Sequence, residues 1–200
     1  MSQRDSAWFT ARAGRFTASR FADLMATTKS GPSTSRKNLI VQIAIERITG
    51  TTEDSYTNAA MQRGIDLEPE ARMVYELTTG NVVEQVDFIQ HPSLSFVGVS
   101  PDGLIGDDGM TEIKCPSAMS KHLDALRNGA HAVEYKWQIQ GQLWVAEREW
   151  NDAVSYDPRF PEGKRLAIKR VWRDEKMIEQ LEAECIAANE EVEQIVKELS

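Results

Sequence analysis

The stretch that most constrains this chain runs from Leu94 to Cys115: an apolar run, a turn rich in glycine, and a second apolar run. That pattern predicts a hairpin, with Leu94 to Ser100 against Met110 to Cys115, and so a sheet around which the rest must pack. Asp102 follows the first run, and Glu112-Ile113-Lys114 lies on the second. In a strand, residues two apart share a face. Glu112 and Lys114 therefore project together, with Ile113 opposite. If Asp102 faces them across the hairpin, two carboxylates and an ammonium meet in one small volume. Carboxylate oxygens suit Mg²⁺ or Mn²⁺, and a lysine beside a metal-bound water assists hydrolytic attack on phosphate. The set points to a nuclease. On spacing alone the alternative is a surface hairpin with a neighbouring Glu–Lys pair. A calcium loop fails on register: counting from Asp102, the third and fifth positions are Leu104 and Gly106, which bring no side-chain oxygen.

Helical patterns flank the hairpin. Ala7 to Met25 reads as a short segment and then a helix, with Thr17 or Ser19 as the N-cap. Lys29 to Arg36 is a polar loop broken by Gly and Pro. Leu39 to Ile48 is helical, ended by Gly50. Asn58 to Thr79 is a long helix in which Pro69 either makes a kink or starts a second helix. Asn81 to Ile89 is expected as a strand. Ala118 to Arg127 and Glu134 to Glu147 are helices, the second with Tyr135, Gln138 and Gln142 on one face. Trp150 to Tyr156 and Leu166 to Trp172 are strands. A closing helix, Asp174 to Leu199, carries a stripe that includes Ile178, Leu181, Cys185, Ala188 and Val192. The order implies a mixed α/β sandwich. No GxGxxG or GxxxxGK[ST] occurs, which disfavours nucleotide cofactors.

At 200 residues, 41% hydrophobic and 27% charged, one domain is expected across 1–200. A helical part of about 1–80 would pack on a core of about 81–172, closed by a helix over 174–199. No stretch is apolar enough for a bilayer, and M-S-Q-R-D-S-A-W lacks the core of a signal peptide. A cytoplasmic protein is expected, with Cys115 and Cys185 as free thiols. The net charge is −8, yet residues 1–50 hold eight Lys/Arg against three Asp/Glu. Residues 174–200 hold two against nine. A basic end on an acidic chain can form a local anion site, or be an asymmetry with no partner.

Glu68 and Glu70 flank Pro69, and either could bring a carboxylate to a second metal; both could instead be solvated helix charges. Arg12, Arg15 and Ser19 could hold a terminal phosphate, since arginine offers a planar fork and a serine hydroxyl adds a donor. A capped helix with surface arginines would look the same. Gln138 could orient an attacking water, with Tyr135 on the same face. Trp137 and Trp144 read as core. His91, His122 and His131 lack metal-ligand spacing and receive no role.

Several ordered motifs run through nearly the whole chain: W-F-T-A-R-A-G-R-F-T-A-S, R-G-I-D-L-E-P-E-A-R, S-P-D-G-L…E-I-K-C-P, Q-I-Q-G-Q-L-W-V and Y-D-P-R. Together they resemble the lambda exonuclease family, the phage alkaline exonucleases related to YqaJ-like viral recombinases. The resemblance implies a restriction-endonuclease-like core of the PD-(D/E)xK superfamily, a mixed central sheet flanked by helices. By that likeness Asp102, Glu112 and the Ile113 carbonyl would bind Mg²⁺, with Mn²⁺ as a substitute, and Glu68 would help hold a second ion. Lys114 would activate or position the attacking water, beside Gln138 and Tyr135. Arg12 and Ser19 match residues that hold a 5′-phosphate. Where the family has a third phosphate contact, an arginine, this chain offers only Lys121, which lacks the fork.

The implied activity is a 5′→3′ exonuclease on double-stranded DNA ends that leaves a 3′ overhang for recombination. The implied assembly is a ring-shaped trimer working with a single-strand annealing protein in the bacterial cytoplasm, encoded by a phage or prophage. The alternatives are an endonuclease of the same superfamily, restriction or repair type, and a non-catalytic DNA-end-binding module.

Overall fold

The computed structural model describes residues 6–29, 31–52 and 59–199. Its centre is a four-stranded sheet ordered β6-β7-β8-β9, formed by Gly103–Ile105, Gly109–Lys114, Trp150–Tyr156 and Leu166–Trp172. β6 runs antiparallel to β7, β7 parallel to β8, and β8 antiparallel to β9. The parallel pair needs a crossover, because a tight turn cannot reverse the chain twice. Helices α5 (Met119–Asn128), α6 (Ala130–Glu134) and α7 (Lys136–Val145) make it.

The two faces of β7 go to different helices. Ile113 packs with Val154, Ala71 and Tyr75, the last two from α4 (Ala59–Thr79). Met110 packs with Ala153, Ile139 and Leu143 on the side of α6 and α7. This is the period-two alternation expected of a strand covered on both faces. On its other side α7 offers Trp144 and Val145 to a second core shared by α2 (Phe21–Leu24), α3 (Thr34–Thr49) and α8 (Glu175–Glu198). A helix covered on both sides needs no polar stripe, and Ile139 through Val145 are all buried. Trp144 is core, as expected, and Trp137 packs half-buried against the same cluster.

A second sheet explains how the hairpin was misread. Val97–Val99 forms β5, which pairs with β1 (Phe16–Thr17) in parallel and with β4 (Ile89–Gln90) antiparallel. It does not pair with β7. Pro101 lacks an N–H and separates the two sheets, so the hairpin partner of β7 is β6. Asn81 to Ile89 is not a strand: it makes one isolated bridge, Glu84 with Leu104, and only its end enters β4. Glu76 draws this segment in, its carboxylate accepting from the Val83 N–H at 2.8 Å.

Other expectations shift in detail. The N-terminal region is α1 (Ser6–Arg12), β1, a single 3₁₀ turn over Ala18–Arg20, and α2. Thr17 makes no side-chain cap there. Within the expected loop, β3 (Gly31–Pro32) pairs back with β2 (Thr27–Thr28), which precedes it, and α3 begins at Thr34 under a Ser33 cap. Pro69 lies inside one uninterrupted α4, while Asn58, its expected first residue, falls outside the described residues. The Glu134 to Glu147 helix is broken at Tyr135, whose φ of −101° and ψ of 18° end α6 and open α7. The closing helix starts under an Asp174 cap, whose carboxylate accepts from the Lys176 and Met177 N–H groups.

Two helical glycines differ in what surrounds them. A Cβ on Gly141 would stand 2.1 Å from the Phe21 ring, whereas on Gly64 it would meet nothing within 4 Å among the described residues. Gly141→Ala is therefore expected to destabilise the fold by about 1–3 kcal/mol through overpacking. Gly64→Ala is expected to stabilise it by about 0.5–1 kcal/mol through reduced chain entropy. Urea unfolding checks both, and shifts of the same sign would defeat the argument from packing.

Candidate functional site

The groove lies where β7 ends. It is a cavity of about 550 Å³ lined by Glu68, Asp102, Ile113, Lys114, Lys121 and Tyr135, among others. In the β6–β7 register Gly103 opposes Thr111, so Asp102 falls one step further on, level with Glu112. Its carboxylate accepts the Ile113 N–H at 2.6 Å. The expected convergence of Asp102, Glu112 and Lys114 is thus present, delivered by β6 and its preceding turn.

Glu112 is 3% exposed, which obliges every lone pair to find a donor. Lys114 Nζ lies 2.5 Å from Oε1 and Gln138 Nε2 lies 2.6 Å from the same oxygen. Gln142 Nε2 lies 2.5 Å from Oε2. The ammonium of Lys114 also sits 4.6 Å over the Tyr135 ring. Burial alone would lower the Lys114 pKa, but the Glu112 and Asp102 charges outweigh it and hold the ammonium above the ordinary lysine range. Asp102 moves the other way for a carboxylate. Burial raises it well above its ordinary range, and Glu112 and Glu68 add to that, against Lys114 and the Ile113 N–H.

The two helix carboxylates separate. Glu68 faces the groove, with Arg72 Nη2 at 2.7 Å. Glu70 instead accepts the Tyr156 hydroxyl at 2.6 Å. The wall after Lys114 is fastened from outside: Arg63 and Arg159 both donate to the Pro116 carbonyl and both pair with the buried Asp157.

Among the described residues no group of three His, Cys, Asp or Glu side chains stands ready to hold a metal. Mg²⁺ does not require one, since one or two carboxylates, waters and substrate phosphates normally complete its octahedron. The donors here are all hard oxygens: Asp102, Glu112, the Ile113 carbonyl and, beyond them, Glu68. Burial first, and then the neighbouring carboxylates, raise Asp102, and a divalent cation would offset both. The donor set fits such an ion.

Arg12 makes a second centre beside the first. Its guanidinium donates to Ser100 Oγ at 3.3 Å, Thr17 Oγ1 at 3.2 Å and Ser19 Oγ at 3.3 Å. It stacks 4.3 Å over the Trp8 ring, and the Trp8 Nε1–H donates to Ser100 Oγ at 3.0 Å. None of these partners carries a negative charge. Burial lowers the Arg12 pKa to about 10, with Glu46 opposing and Arg20 adding to the shift. A desolvated cation ringed by neutral hydroxyls is suited to take an anion. Thr17 and Ser19, expected as caps, serve this cradle instead. Arg15 turns away, bonding Ser95 O, Ala11 O and Gln90 Oε1. Lys121 lines the groove, but its ammonium is held by Glu134 at 2.6 Å.

The residues that sequence reasoning missed are Gln142, Thr17 and Ser100. Gln142 could have been found from its face with Gln138. Ser100 and Arg12 are 88 positions apart, and nothing local links them.

A sheet-edge site of two carboxylates and a lysine, on a mixed sheet flanked by helices, is the architecture of the nuclease superfamily that the motifs imply. The comparisons give the family. Residues 7–149 match the YqaJ-like viral recombinase domain, and the chain belongs to that family, as the likeness to lambda exonuclease implied. Two crystal structures of LHK-Exo, an alkaline exonuclease from Laribacter hongkongensis, one of them in complex with dAMP, are similar to it. Each shares 42% identity, with a TM-score of 0.89, over 98% of this chain and 96% of theirs. A phage related exonuclease from Haemophilus somnus 129PT shares the fold, at 16% identity and a TM-score of 0.77, over 93% of this chain and 96% of its own. No curated protein matches the chain.

The crowding of carboxylates has a measurable cost. Because folding raises the Asp102 pKa, the fold loses stability as pH climbs above the ordinary carboxylate range, and Asp102 burdens it at pH 8. In EDTA at that pH, Asp102→Asn should unfold at a higher temperature than wild type. A lower midpoint would show that the bond from Ile113 N–H outweighs the repulsion.

Proposed function

We propose that the protein is a divalent-metal-dependent DNA exonuclease that degrades one strand of duplex DNA from its 5′ end. The observation that carries this reading is the closeness of two complementary centres. Ser100 closes the Arg12 cradle, and two residues later Asp102 opens the carboxylate–lysine groove. A terminal 5′-phosphate held by Arg12, Ser19, Thr17 and Ser100 would leave the adjoining phosphodiester over Asp102. An enzyme so built measures from an end. LHK-Exo, the similar alkaline exonuclease, was crystallised with dAMP, a mononucleotide of the size such trimming releases.

Asp102, Glu112 and the Ile113 carbonyl would hold Mg²⁺, or Mn²⁺ in its place, and Glu68 would help hold a second ion. When bound, such ions lower the pKa of water and stabilise charge on the attacking and leaving oxygens. The chain's own groups do the rest. Lys114, held by Glu112 and seated on Tyr135, directs its remaining N–H bonds to the attacking oxygen and the scissile phosphate. Gln138 keeps the lysine-facing edge of Glu112 in place. Lys121 would be released from Glu134 to reach the strand as the third phosphate contact, as a point charge without a fork.

The family resemblance supports the finer reading: a 3′ overhang for strand annealing, a ring-shaped trimer around the duplex, and an annealing protein as partner. On this reading residues 1–200 act as one exonuclease unit in a bacterial cytoplasm. Among the described residues no helix is long and apolar enough to cross a membrane. A ring reconciles a net charge of −8 with DNA, because only the channel must be basic.

The decisive assay is digestion of a linear duplex with one labelled 5′-phosphate end, with and without Mg²⁺, beside a closed circle. Label release from the linear duplex alone is expected; cutting of the circle would turn the reading to an endonuclease. Asp102→Ala and Lys114→Ala should each reduce hydrolysis by at least about 10³-fold while end binding persists. Full activity in either would remove the mechanism. Arg12→Ala should erase most of the preference for 5′-phosphate over 5′-hydroxyl ends, read as the ratio of the two initial rates. An unchanged ratio would place the phosphate elsewhere.

A further inference from the structure

We propose that Gln142 and Asn151 form a buried amide relay that orients Glu112 and thereby sets the affinity of the groove for its divalent cation. This rests on the metal-centre reading given above. Gln142 and Asn151 are both 0% exposed. Gln142 Nε2 donates to Glu112 Oε2 at 2.5 Å, and Asn151 Nδ2 donates to Gln142 Oε1 at 3.1 Å. Asn151 is fixed in turn by strand β8, paired with Met110 on one side and Val171 on the other.

The polarity of this chain is dictated from one end. An ionised carboxylate only accepts, so Gln142 must present its nitrogen to Glu112. Its oxygen then needs a donor, so Asn151 must present Nδ2. Asn151 Oδ1 is left buried with no hydrogen-bond partner among the described residues. Such a loss is not tolerated for stability's sake, since two apolar side chains would fill the same space without it. The benefit lies at Glu112. The terminal torsion of a glutamate is broad and two-fold, and a carboxylate free to swing presents a metal with an averaged target. Lys114, which lines the groove, and the half-buried Gln138 grip Oε1, where water competes. Among the described residues Gln142 alone grips Oε2, from a fully buried position. The relay therefore fixes the plane of the carboxylate independently of what enters the groove. Gln142 and Asn151 are positioning residues; neither lines the groove.

The test is binding of Mn²⁺ alone, followed by the electron paramagnetic resonance of the free ion, to wild type, Gln142→Leu and Asn151→Ala. Gln142→Leu should raise the Mn²⁺ Kd about 10–100-fold, while the metal-free protein keeps its circular dichroism spectrum. Asn151→Ala, which leaves Glu112 untouched, should raise it in the same direction by less. A merely structural role would lower the metal-free thermal midpoint and leave Kd unchanged, and that pattern overturns the relay. If Gln142→Leu fails to fold, Asn151→Ala decides by the same criterion. Wild type that binds no Mn²⁺ overturns the metal centre itself, and the relay with it; wild type that binds while folded variants bind equally well overturns the relay alone.

Discussion

Everything in this molecule is arranged around one buried charge. Glu112 sits on the central strand, under α7, with almost no access to water. A bare carboxylate there would cost several kcal/mol. The fold answers with three donors, from Lys114 two residues along the strand and from Gln138 and Gln142 one helical turn apart. That requirement fixes the register of β7, the placement of α7 and the side of α7 that stays polar inside a core. Asp102, buried beside Glu112 and Glu68, is held above its ordinary range. On the proposed reading a divalent cation would offset that charge.

Parts of this arrangement were legible in the residues because they depend on local periods. Glu112 and Lys114 share a face because strand side chains alternate. Gln138 and Gln142 share one because a helix turns every 3.6 residues, and this held although the helix breaks at Tyr135. The closing helix followed from its apolar stripe. Elements set by distant partners were not legible. Val97–Val99 looks like any apolar strand, and only the tertiary structure tells that it pairs with Phe16–Thr17. The segment from Asn81 to Ile89 is rich in β-branched residues yet, among the described residues, pairs only at Glu84 and at its last residue, Ile89. The cradle of Arg12 was half legible: Ser19 lies close by in the chain, Ser100 does not.

The net charge of −8 gave a misleading first impression. What matters is where a cation lacks its counter-charge. Arg36 is held by Glu184 and Glu191, and Arg170 by Asp152; these join elements. Among the described residues Arg12 bonds to hydroxyls and stacks on an indole, with Glu46 acting on it without an ion pair. Burial and neutral company, not abundance, separate the arginine proposed to take an anion from those that staple the fold.

The parallel pairing of β1 with β5 carries one more implication. It draws the N-terminal segment against the strand that leads into Asp102, so the Arg12 cradle and the carboxylate groove, proposed to bind an end and to cut, come from stretches far apart in the chain and meet at a single seam. Lineages could therefore retune or discard the first without rebuilding the second. Divergence among such proteins would then begin in the opening residues, with the cutting chemistry inherited intact.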